Sequence, residues 1–238
     1  MPAMTKLAWR LLARRGLVVQ RHPGWRRQRL LAMHGVDAVI DVGAARGGFA
    51  GELREFGYDG AIVSFEPLSA AYAGLAAAAA GDPRWTVVNQ ALGAEAARQT
   101  INVASNSDSS SMLPMRDEHV SAAPQVTYVG SEEIDVARLD DVAPSHLPSD
   151  SVPFLKIDTQ GYERQVLEGG RETLARCVGL QLELSLVPLY EGGMLVDEAV
   201  SMAYDEGFVL AAVAPGFSDP GGALLQVDGV FFRQTVGS

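Results

Sequence analysis

The sequence predicts an α/β domain: a mostly parallel sheet covered by helices on both faces. Short apolar runs rich in β-branched residues alternate with helix-length segments along most of the chain, the pattern of strand–helix–strand crossovers. The first such run leads into a turn of small residues, Gly43-Ala-Ala-Arg-Gly-Gly48, that opens a helix. The last two runs lie too close together for a crossover helix, so they read as antiparallel partners.

The elements follow in order. Residues 1–36 read as helical, with a break at His22-Pro-Gly24. Residues 36–42 are the first strand and 48–56 a helix, closed by the turn Gly57-Tyr-Asp-Gly60. Residues 61–65 are the second strand. Ser69 caps a helix that runs through the alanines to residue 80 and stops at Gly81-Asp-Pro83. Residues 85–90 form a third strand. The pattern then changes. Segments 100–103, 125–129 and 133–138 read as strands around the polar loop Ser105–Ser111, without a crossover helix. This stretch reads as an insertion or an irregular edge, not a second domain. The alternation resumes with a strand at 152–157, a helix at 163–176, a strand at 178–185 and a helix at 196–206. Strands at 208–213 and 229–233 end it. The chain thus divides into a basic helical extension, residues 1–35, and a domain, residues 36–238.

Charge is unevenly placed. The chain carries a formal −10, yet residues 1–36 hold eight basic residues and no acid. The acidic remainder argues against a nucleic-acid substrate, because phosphate backbones require a basic face. Lys6, Arg10 and Arg14 share a helical face opposite Leu7, Trp9, Leu11 and Leu12. Residues 1–29 therefore suit either a peripheral contact with an anionic membrane or a helix packed on the domain with its basic edge in water. The arginines interrupt any secretory apolar region, and no run reaches membrane-spanning length. The single cysteine, Cys177, lies among apolar residues and reads as a core side chain. A cytoplasmic protein is expected, peripheral to the membrane if residues 1–29 bind it.

The turn after the first strand carries the ligand signal. Small residues let backbone N–H groups approach a ligand, and the helix start favours negative charge. Asp41 and Glu66 stand at the ends of successive strands, where Glu66 can accept from a ribose diol. A dinucleotide would require a glycine where Ala45 stands. S-Adenosylmethionine has no pyrophosphate to seat, and the pattern fits it better. The expected binding residues are Asp41, Gly43, Ala44, Ala45, Gly47, Glu66 and Pro67. Asn89, Gln90 and Ala91, after the third strand, are placed at the adenine edge.

The series of motifs resembles the FkbM family of S-adenosylmethionine-dependent methyltransferases. The resemblance rests on Asp41-Val-Gly-Ala-Ala-Arg-Gly47, Phe65-Glu-Pro67, Asn89–Gly93, Ser109–Ser111, Leu139-Asp140, Leu155-Lys-Ile-Asp-Thr-Gln-Gly-Tyr-Glu163, Glu183-Leu-Ser185 and Asp228. Members often carry Asn where this chain has Ala45. The resemblance implies a Rossmann-like seven-stranded methyltransferase sheet with an antiparallel last strand. It also implies O-methylation of a sugar, glycolipid or related natural product.

Methyl transfer to a hydroxyl needs alignment and a base. Asp158 is the first candidate, because it ends the fourth parallel strand, where open sheets place their ligands. Lys156 would share its face. Glu183, on the next strand, is the second candidate. His119, in a polar stretch after the serine loop, is the third, since imidazole titrates near neutral pH. Glu163 suits the first turn of a helix on electrostatic grounds alone. Asp158, Glu183 and Asp228 offer oxygen ligands for Mg²⁺, but their spacing carries no metal signature and none is assigned. Ser109–Ser111 could hydrogen-bond a sugar, and Tyr190 and Trp85 offer stacking faces. Two rival readings remain: a non-catalytic protein that binds the methyl donor or acts as a scaffold, and an NAD-dependent oxidoreductase. Ala45 keeps the first alive and counts against the second.

Overall fold

The computed structural model describes residues 10–17 and 21–234. The main sheet contains β1 (Ala38–Val42), β2 (Ala61–Phe65), β3 (Trp85–Val88), β7 (Pro153–Ile157), β8 (Gly179–Ser185), β9 (Phe208–Pro215) and β10 (Gln226–Arg233). Their order is β3-β2-β1-β7-β8-β10-β9. Neighbours from β3 to β8 pair in parallel, and β10 is antiparallel to both β8 and β9. The expected α/β class and the antiparallel last strand are both present.

Alternation along the strands divides the core. Ala38, Ile40 and Val42 of β1 join Leu155, Ile157, Leu180 and Leu182 under the helices Glu163–Glu168, Arg171–Arg176 and Val196–Asp205. Val39 faces the other way with Phe154, Val230 and Phe232, under the helices Pro23–Met33, Gly48–Glu55 and Ser69–Ala79. All five residues of β1 are buried, as a strand covered on both faces requires.

The strand-rich stretch forms a second, three-stranded sheet in the order β4-β6-β5, from β4 (Ala91–Leu92), β5 (Ala97–Ala104) and β6 (Tyr128–Ala137). Several local expectations are corrected. Segments 125–129 and 133–138 are not two strands, because β6 runs unbroken against β5. A short helix, Asp117–Ala122, occupies the polar stretch after the serine loop, which holds His119. Ser69 is the first helical residue and provides no cap. Its hydroxyl instead donates to Glu132 of β6, which ties the helix to the second sheet.

The helix expected over 163–176 is two helices, broken at Gly169-Gly170. A Cβ on Gly169 would lie 1.9 Å from the Gly93 carbonyl oxygen, so the second sheet presses directly on the chain there. Asp140 starts the second of these helices by accepting from the amides of Thr173 (2.8 Å) and Glu172 (3.2 Å).

The basic segment has two parts. Residues 10–14 are helical, while Lys6, Leu7 and Trp9 of the expected amphipathic face lie outside the described residues. The helix Pro23–Met33 is capped by His22, whose Nδ1 accepts from the Gly24 amide at 3.1 Å. It packs on the sheet: Leu31 is fully buried, and Arg27 pairs with Glu52 and donates to Gln181 at 3.3 Å. Among the described residues no helix is long and apolar enough to cross a membrane. Cys177 is buried, as expected.

Candidate active site

The strand order reverses between β1 and β7, which places a crevice outside their carboxyl ends. A cavity of about 490 Å³ opens there. One wall is the turn Gly43-Ala44-Ala45 with Glu66 and Pro67, and Gln90 and Ala91 lie beside it. Asp158, Gln160 and Glu183 also line the cavity, as do Ser107 and Ser110.

The turn is shaped by close backbone approach. Gly43 has φ 72°, and a Cβ there would stand 1.8 Å from the Asp158 carbonyl oxygen. Glycine is therefore what lets the end of β1 lie against the end of β7. Ala45 also adopts a left-handed conformation, φ 47°. Asn tolerates that region better than Ala. The Ala45 amide donates to Glu66 Oε2 at 2.9 Å, and the Leu68 amide donates to Oε1 at 2.9 Å. Burial raises the Glu66 carboxyl to about 7 against the pull of those two amides.

Asp41 does not reach the cavity. It lies fully buried beneath the turn, 3.0 Å from Lys156 Nζ, and accepts from the Ser64 hydroxyl at 3.0 Å. Lys156 also donates to the Gly43 carbonyl at 2.8 Å, so the pair holds the turn from below. Burial works against the lysine's charge, but Asp41 and Asp158 outweigh it and keep its pKa above the ordinary value. Asp158 is the more distant partner, at 3.7 Å. Gly47 likewise supports from outside. It is the N-cap of helix Gly48–Glu55, with the Trp85 ring where its Cβ would point. Asn89 does not line the cavity either; it donates to the Glu66 and Pro67 carbonyls at 2.9 Å each and fixes the strand end.

The two strand-end acids Asp158 and Glu183 share one partner that sequence reasoning missed. Gln160 Nε2 donates to Asp158 Oδ1 at 2.8 Å and to Glu183 Oε2 at 3.0 Å. Gln226 donates to the same Glu183 oxygen at 2.8 Å. Burial, followed by the charge of Asp158, pushes the Glu183 carboxyl well above the ordinary range. Glu163 is buried and braces the turn, accepting from the Thr159 and Gly161 amides at 2.9 and 3.1 Å.

His119 is corrected. The helix Asp117–Ala122 turns it inward, where its ring packs 5.4 Å from Tyr190 and 5.6 Å from Phe217. It is buried and does not line the cavity. Tyr190 is itself buried, and Trp85 is a packing residue whose Nε1 donates to Ser64 at 3.0 Å. Asp228 faces a separate hollow of about 210 Å³ beside Arg26 and Arg27. Among the described residues no group of three or more His, Cys, Asp or Glu side chains is arranged to hold a metal ion.

The residues present fit S-adenosylmethionine. A cavity of this size is in the range of small-molecule sites. Its turn brings small residues to one wall, and Glu66 offers a buried acceptor beside it.

Comparison with known proteins agrees. The model of the methyltransferase FkbM domain matches residues 41–210. The 2-O-methyltransferase NoeI of Sinorhizobium fredii is 33% identical over 85 residues, 36% of this chain and 35% of that protein. The matched region thus spans about a third of that relative's length. In fold, the chain is similar to the O-methyltransferase TomG of Streptomyces achromogenes, solved with S-adenosylmethionine. The TM-score is 0.51 at 11% identity, covering 98% of this chain and 91% of TomG. The family match spans most of the chain, from the first strand-end acid to β9: the protein belongs to the FkbM methyltransferase family, with S-adenosylmethionine as its cofactor.

Proposed function

We propose that this chain is an O-methyltransferase acting on a hydroxyl of a sugar, glycolipid or related natural-product acceptor. The observation that carries this reading is a pair of carboxylates in the cavity beside the glycine turn. Asp158 and Glu183 stand at adjacent strand ends, joined by the Gln160 amide, with Ser107 and Ser110 in the same lining. S-Adenosylmethionine supplies an already activated methyl group when bound. The chain's own residues then have to seat the acceptor oxygen in line and take its proton. Asp158 is the base in this reading. Its side chain is about one-third exposed, and Lys156 stands 3.7 Å from its second oxygen. Glu183 is held toward its neutral form by burial and by Asp158, which suits it to orient a hydroxyl rather than to deprotonate one. Ser107 and Ser110 lie where further hydroxyls of a polyol would reach. The O-methyltransferase NoeI, though matched over part of its length, supports the same class.

The test is incubation with labelled S-adenosylmethionine and polar and lipid extracts, followed by mass spectrometry of whatever gains a methyl group. A methyl ether on a sugar-bearing product is expected. A product methylated on nitrogen or carbon would overturn the reading. Asp158→Asn should lower turnover by about 10²–10⁴, the range for a general base, and leave donor binding intact. A larger loss in Glu183→Gln, with Asp158→Asn active, would move the base to Glu183.

A second proposal concerns the basic segment. Arg10, Arg14 and Arg15 are exposed, as are Leu11 (56%) and Leu17 (53%). We propose that this segment brings the enzyme to an anionic membrane surface, where a glycolipid acceptor would be found.

A further inference from the structure

Gln160 is held at four points. Its backbone is left-handed, φ 54°, a conformation that costs free energy in a non-glycine residue and gathers at functional sites. Its carbonyl accepts from the hydroxyl of the fully buried Ser111 at 2.7 Å. Its side-chain Oε1 accepts from the Tyr190 hydroxyl at 2.8 Å. Its Nε2 donates one N–H to Asp158 and the other to Glu183. The opposite amide orientation would set Oε1 against two carboxylates, so the partners decide which way it faces.

We propose that Gln160 is a positioning residue for methyl transfer, its amide clamping Asp158 and Glu183 in one arrangement so that Asp158 keeps its second oxygen for the acceptor hydroxyl. The proposal rests on the reading of Asp158 as the base. Donation from Gln160 Nε2 favours the ionised form of Glu183, against the burial and the Asp158 charge that raise it. Other charged and titratable groups bear on the same pair. Lys156 favours ionisation, while Glu163, Asp228 and the Tyr190 phenol surround it from neighbouring elements. Without the amide, the acids of this cluster would keep only Gln226 on Glu183 and Lys156 beside Asp158 to offset their repulsion.

The experiment is thermal melting of the full chain from pH 5 to pH 8, with Gln160→Met, which keeps length and removes both donors. The hydrogen bond lost at Glu183 matters most when that acid is ionised. The melting gap between wild type and variant should therefore widen by about 3–6 °C from pH 5 to pH 8. A gap that stays constant with pH would mean Gln160 merely packs, and would overturn the proposal. Tyr190→Phe, which frees the amide carbonyl while keeping the ring, should show the same widening at smaller size. It carries the test if Gln160→Met fails to fold. In methyl-transfer assays on the acceptor found with labelled donor, kcat of Gln160→Met should fall about 10–100-fold, the equivalent of one charge-assisted hydrogen bond. S-Adenosylhomocysteine affinity should be unchanged. A wild type that methylates no hydroxyl would sink the proposed activity while the melting gap still reports on the clamp. An active wild type with a flat gap would sink the clamp alone.

Discussion

Glu66 serves two opposed conditions. Folding buries its carboxyl, which favours the neutral form, and the role we propose for it, accepting from the ribose diol of the donor, favours the charged form. Its pKa in the folded protein, about 7, lies above the ordinary 4.5. The stability this group contributes is therefore complete below about 4.5 and is lost as pH rises through about 7. Donor affinity should run the other way. Calorimetry should find S-adenosylhomocysteine binding tighter at pH 8 than at pH 6, and Glu66→Gln should flatten that dependence. Glu66→Ala should cost about 1.5–3 kcal/mol of binding, the worth of a hydrogen bond to a charged group. Unchanged affinity in folded Glu66→Ala would remove Glu66 from the site. At this scale the sequence was legible where a residue's chemistry is unusual for its place: a glycine-rich turn, acids at strand ends. It was not legible for Gln160 or Asp41. A glutamine after a strand carries no pattern of its own, and only the fold brings Asp158, Glu183 and Tyr190 around it. Asp41 read as a ligand because its position beneath the turn depends on Lys156, its register partner on the neighbouring strand but far from it in sequence.

Elements were legible where periodicity is strong and were missed where long-range contacts decide. Strand β2 coincides with its expected span because its apolar run is bounded by Gly60 and Pro67. The helix expected over 163–176 failed at Gly169-Gly170, where the Gly93 carbonyl occupies the space a side chain would need. No local rule announces that contact. The same lesson applies to the restart of the chain at Arg171, which depends on Asp140 from a distant segment. Asp140→Ala should leave the amides of Glu172 and Thr173 without their acceptor. Loss of a cap of this kind costs about 1 kcal/mol, or a melting point lower by about 2–4 °C in a chain of this size. Donor binding should be untouched, because Asp140 does not line the cavity. A variant that melts normally would show that Gly170 alone ends and restarts the helix.

The whole molecule combines an acidic body with a basic extension, and the structure shows how far the two are separable. The sheet order, the two helical layers and the switch point all follow from alternation of strand and helix, which is why the architecture could be read from the sequence. The role of the extension could not, because charge alone suits a membrane surface and a packed helix equally. The two parts of the extension differ. Residues 10–17 expose Arg10, Arg14, Arg15, Leu11 and Leu17, whereas helix Pro23–Met33 sends Leu31 and Arg27 into the body. A truncation that removes residues 1–29 would therefore delete Arg27, leave Glu52 without its main partner and uncover part of the core. The informative truncation ends before His22, which caps that helix. Full-length protein should sediment with vesicles containing anionic lipid at low salt and be released as ionic strength rises, since screening shortens the reach of the arginines. The chain starting at Arg21 should remain in the supernatant, melt like the full chain and bind S-adenosylhomocysteine equally well. Full-length protein that ignores anionic vesicles at low salt would show that residues 10–17 have no membrane role. A truncated chain that still sediments would place the contact on Arg26 and Arg29 of the packed helix and on Arg21 just before it.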